Sequence, residues 1–67
     1  MLVVPVFSFT QNFTAGILEG MVIEDNQMKF GSSKDAYDWM KGVNENNKNG
    51  HCDYFVTDLV KVGVVEL

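Results

Sequence analysis

The sequence predicts one α+β domain over residues 1–67, with a single helix packed across one face of a small antiparallel sheet. About four strands are expected, in the chain order β-β-β-α-β. Three observations predict this: a serine cap opening an apolar stripe at helical spacing, strand-like segments on both sides of it, and a two-residue turn signal at Asp25-Asn26.

Residues 2–10 are rich in Val and Phe and read as the first strand. Pro5 has no N–H to give to a ladder, which assigns this strand to a sheet edge or a bulge. The second strand runs over about residues 14–24, and Asp25-Asn26, both tolerant of positive φ, turn the chain into a third strand at residues 27–30. Ile17, Met21 and Ile23 are then expected on one side, with Met28 and Phe30 supplying the partner strand, while Glu19 breaks the alternation.

Ser32-x-x-Asp35 is a capping-box pattern with Asp in place of Glu or Gln, so the helix opens at Ser33. Ala36, Met40 and Val43 recur at i, i+4 and i+7 with Trp39 beside them, which buries one side. The Asn-rich run that follows lacks an apolar period, and the helix is expected to span residues 33–44. Residues 53–67 form the last strand. A bulge or bend near Asp58 or Gly63 is expected to let Phe55, Leu59, Val62 and Val64 be buried together.

A chain of 67 residues buries only about 60% of the surface its unfolded form exposes, so its core needs a supplement. Cys52 is the single cysteine and forms no intrachain disulfide. Met1 to Val6 lack a positive leader region and the apolar run stops short of a membrane span, so a cytoplasmic protein is expected. Asn12-Phe13-Thr14 matches the N-glycosylation triplet, a pattern without meaning in that compartment. His51-Cys52-Asp53 is the one cluster of reactive types, but in a strand the middle side chain points away from its neighbours. The three therefore cannot converge on an ion, and they act as a nucleophile and base only if the segment is a turn and not a strand. No catalytic residue, metal or cofactor is predicted. Self-association remains as the supplement: the 46% hydrophobic content favours a homodimer or small ring, with the last strand and the Pro5-containing first strand as the candidate edges that pair with a second copy or another protein.

The five basic residues are all lysine, there is no arginine, and the net charge is −4. Direct nucleic-acid binding, which draws on a concentrated positive footprint and on bidentate arginine contacts, is therefore not expected. No Gly-rich loop precedes the helix in the manner of a P-loop. Glu24, Asp25, Asp35, Asp38 and Glu45 can instead form an acidic surface for the basic face of a nucleic-acid-handling protein, with Lys34 and Lys41 interspersed among them. Asp35, Asp38, Glu45 and Tyr37 are the candidate protein-binding residues. Trp39 is expected in the core, and Tyr37 lies between the apolar and polar faces.

In length, lack of arginine, Asn-rich loop and absence of catalytic types, the chain is similar to small accessory proteins of bacteriophages and mobile elements. That likeness is one of composition, without a motif. It implies a non-enzymatic inhibitor that occupies the surface of a host or defence protein, by its acidic helix face or an open sheet edge. The alternative is an oligomeric small-ligand binder with a pocket between subunits, lined by aromatic residues and by Ser32, Ser33 or the Asn-rich loop.

Overall fold

Four elements follow one another in the computed structural model of the protein, which describes residues 1–67: β1 (Val3–Phe13), β2 (Val22–Lys29), α1 (Ser33–Lys48) and β3 (Tyr54–Glu66). The strands form one antiparallel sheet in the order β2-β1-β3. The class is α+β as expected, with three strands in place of four and the order β-β-α-β.

The missing strand is residues 14–21, which form a loop. Gly16 and Gly20 take φ of 76° and 88°, a left-handed backbone that ends strand pairing. Ile17 and Met21 consequently stand in solvent and line no face with Ile23. Asp25 does adopt positive φ, 60°, but inside β2 and not at a turn. Between Phe9 and Gln11 β1 advances two residues while β2 advances three, from Asn26 to Ile23, so Asp25 sits in a β-bulge. Tolerance of the left-handed region is common to turns and bulges, which is why one signal served for the other.

Pro5 lies in the central strand and in regular register with β3, neither on an edge nor at a bulge. Its carbonyl accepts the Phe30 N–H (3.1 Å), so the side of Pro5 that lacks a donor faces the point where β2 has already ended. Toward β3 it pairs with Val64 without needing a bond of its own. The ladder loses little.

The irregularity expected near Asp58 or Gly63 occurs at both places in β3. Thr10 pairs with Thr57 and Ser8 with Val60, which leaves an extra residue around Asp58 (φ 57°), and a second shift falls between Lys61 and Gly63. The burial they were expected to produce does not follow. Val56 is the buried residue of β3, Phe55 and Leu59 are half-buried, and Val62 and Val64 are exposed.

Ser32 caps α1 from an extended conformation, its Oγ accepting the Asp35 N–H at 3.2 Å. The helix continues past Asn44 to Lys48 and stops in a Schellman arrangement: Gly50 (φ 80°) donates to Asn47 C=O and His51 to Asn46 C=O. Ala36 is fully buried on the side the stripe predicts, with Met40 and Val43 half-buried beside it; Trp39, expected in the core, is half-buried as well.

An aromatic layer joins helix to sheet. The Phe7 ring meets Phe30 and Tyr37 edge-on at 5.8 and 5.9 Å, and Trp39 lies 4.9 Å from Phe9 and 5.5 Å from Phe30. Only Val4, Phe7, Phe9, Thr10, Ala36 and Val56 are buried, and the molecule measures 40 × 20 × 16 Å. So thin a core on so long a sheet leaves much of β3 beyond the helix's cover.

Candidate functional site

The helix carries the carboxylates singled out in the sequence. Lys34, Asp38, Lys41, Glu45 and Lys48 recur at alternating four- and three-residue spacing, which places them on one stripe of α1. Three lysines and two carboxylates make that stripe mixed in sign. Lys34 Nζ bonds Asp38 Oδ2 at 2.6 Å, and the Lys34 ammonium is held above its usual pKa range by that bond first and by the Asp38 charge second. Both side chains are exposed, so the pair adds little to stability.

Asp35 turns back over the helix start, where a Cβ on Gly31 would stand 2.8 Å from its Oδ2. Tyr37 is half in solvent with its ring edge against Phe7, and Glu45 is exposed. Ser32 Oγ is engaged in the cap, Ser33 begins the helix, and neither lines a cavity. Glu24 and Asp25 lie on β2, away from this stripe. No three His, Cys, Asp or Glu side chains gather closely enough to hold a metal ion, and no helix is long and apolar enough to cross a membrane.

The structure draws attention to residues that the sequence reading passed over. Asn44 reaches from α1 to β3, where its Nδ2 donates to Val56 C=O (3.0 Å) and its Oδ1 accepts the Val56 N–H (2.6 Å). One side-chain amide thereby satisfies both backbone groups of a strand residue, as a neighbouring strand would. Asn47, one turn on, donates to Cys52 C=O (3.0 Å) and to Thr14 Oγ1 (2.7 Å). The signal was in the spacing: Asn47 continues the Ala36, Met40, Val43 stripe, so a polar residue there faces the sheet and needs a partner.

The two sheet edges differ. β2 is short, carries Glu24, Asp25 and Lys29, and is interrupted by the Asp25 bulge, all of which discourage pairing. The outer edge of β3 is closed at Val56 by Asn44 but uncovered further on, where Val60, Val62 and Val64 are 56%, 51% and 59% exposed. Leu67 N–H points inward to Leu2 C=O (2.8 Å), so by alternation Glu66 and Val64 direct their N–H and C=O groups outward. No strand lies beyond them.

A close approach shapes the loop between β1 and β2. Gly16 combines positive φ with a position against the Asp53 carboxylate. Gly16→Val is expected to cost about 1–2 kcal/mol, read as a fall in melting temperature of roughly 5–15 °C. An unchanged melting temperature would show that the loop is free to take another conformation.

No family model matches the chain, and no curated protein or solved structure matches it either.

Proposed function

We propose that the protein is a non-enzymatic binding protein that accepts an extended segment of another protein along the uncovered outer edge of β3. The observation that carries this reading is the contrast within one strand: Asn44 closes the edge at Val56, whereas Val64 and Glu66 present outward backbone groups beside exposed valines. An added strand gains main-chain hydrogen bonds there, and Val60, Val62 and Val64 supply apolar contact. Occupying such a segment is a direct way to disable its owner, which suits the inhibitory role implied by the likeness to phage accessory proteins. The net charge of −4 favours a basic partner by raising the rate of encounter. The mixed-sign helix stripe is the weaker candidate surface.

Val64→Pro tests the edge. It deletes an N–H that the sheet does not use, and the preceding Gly63 has no Cβ for the proline ring to meet. Affinity capture from the native cell should recover a protein with the wild type and lose it with Val64→Pro, while the exposed double substitution Asp38→Lys with Glu45→Lys retains it. Retention by Val64→Pro and loss by the helix variant would transfer the binding surface to α1. Thermal melts of each variant establish that it is folded, and Val64→Lys, which blocks an edge by charge, serves as the second edge variant.

A further inference from the structure

The loop at residues 14–21 is apolar at its tip and firmly held. Ile17 is fully exposed, with Leu18 and Met21 beside it. Thr14 N–H donates to Asp53 C=O (2.8 Å), Phe13 N–H to Met21 C=O (2.9 Å) and Gly20 N–H to Phe13 C=O (2.9 Å). Within the loop, Glu19 N–H donates to Gly16 C=O (3.2 Å) and Met21 N–H to Leu18 C=O (2.9 Å). A loop fixed in this way presents Ile17 without the ordering cost that a slack segment incurs on binding.

Toward the other end of the sheet lies a cleft of about 530 Å³, lined by Val6, Gln27, Met28, Lys29 and Val65. Val6 and Lys29 are cross-strand partners, and Val6 stands seven residues before the Phe13 end of β1. At about 3.3 Å per residue the loop and the cleft are roughly 23 Å apart, so they cannot meet within one chain. Their chemistry matches. Val6, Met28 and Val65 offer an apolar lining to Ile17 and Leu18; Glu19 is the one charged residue of the loop and Lys29 the one charged residue of the cleft.

We propose that the loop of one copy enters the cleft of a second, Ile17 and Leu18 against Val6, Met28 and Val65, with the Glu19 carboxylate set beside the Lys29 ammonium. The contact joins two different patches, so it is either reciprocated between two copies in a two-fold dimer or repeated head-to-tail into a ring or filament. It uses the side chain of Val65 and not the outward backbone groups of Val64 and Glu66, so the two sites are neighbours on β3 that differ in the groups they engage.

Sedimentation of charge-reversed variants tests it. Wild type should sediment as an assembly, and E19K and K29E, each alone, should fall to single copies at the same concentration because like charges then meet. An equimolar mixture of the two should recover the assembly, since each E19K loop meets a K29E cleft and each unaltered Glu19 meets an unaltered Lys29. Ile17→Asp should lose it without rescue, and Val64→Pro should keep it. These positions are exposed, so melting temperatures close to wild type verify folding. A wild type that stays a single copy, single variants that assemble as wild type does, or a mixture that fails to recover would each overturn the proposal. Loss of assembly in a folded Val64→Pro variant would assign self-association to the β3 edge and overturn it as well.

Discussion

Phe7→Ala is expected to remove most of the stability of the fold. Phe7 is 1% exposed, sits on the central strand and holds the Phe30 and Tyr37 rings edge-on. Truncating a buried Phe costs about 3–5 kcal/mol through lost burial and the cavity left behind. A domain of this length has roughly 3–10 kcal/mol in total, and one with six buried residues has little reserve. Thermal unfolding should show a melting temperature lower by at least about 12 °C, or no cooperative transition at all. A shift of only a few degrees would mean that the aromatic layer is not packed as described. Trp39 belongs to the same layer but is half-exposed, so its truncation should cost less than that of Phe7.

The second large effect is expected at Asn44. Asn44→Ala leaves the N–H and C=O of the buried Val56 without partners, and each orphaned group costs about 1–3 kcal/mol. The combined loss of roughly 2–6 kcal/mol should appear in chemical denaturation as a lower midpoint. Two further readouts identify the cause: faster hydrogen exchange at the Val56 amide, and new concentration-dependent association as more of the β3 edge opens. A denaturation midpoint equal to wild type would show that water replaces Asn44 without cost.

Local chemistry made the centre of the fold legible in the sequence. The Ser32 cap and the Ala36, Met40, Val43 stripe placed the helix, and Asp58 and Gly63 marked both irregularities of β3. Errors arose where one residue property serves two structures. Asp25 accepts positive φ in a bulge as readily as in a turn, and Ile17, Leu18 and Met21 resemble a strand until Gly16 and Gly20 are given their left-handed conformations. Pro5 reads as an edge or bulge residue because a proline lacks a donor; which side of the strand needs that donor depends on where β2 ends, a matter of register. The Asn-rich run was read as a helix stop by propensity, and tertiary bonds from Asn44 and Asn47 override that preference. The mixed sign of the helix stripe is legible in the sequence, where Lys34 and Lys41 stand among the carboxylates, and Lys48 continues it at the same spacing. The sequence makes the last strand a candidate edge, and which part of that edge stays uncovered is set by strand order and by Asn44, properties of the folded chain.

Amide hydrogen exchange at Val56, Val64 and Glu66 tests most directly whether β3 receives a partner strand. It should be measured on the protein alone, at a concentration where it is a single copy, and again in complex with the captured partner. With the edge closed at Val56 and open beyond it, Val56 should be protected in both states, while Val64 and Glu66 exchange rapidly alone and slowly in the complex. Unchanged exchange at Val64 and Glu66 on binding, with new protection confined to α1, would contradict strand addition at β3.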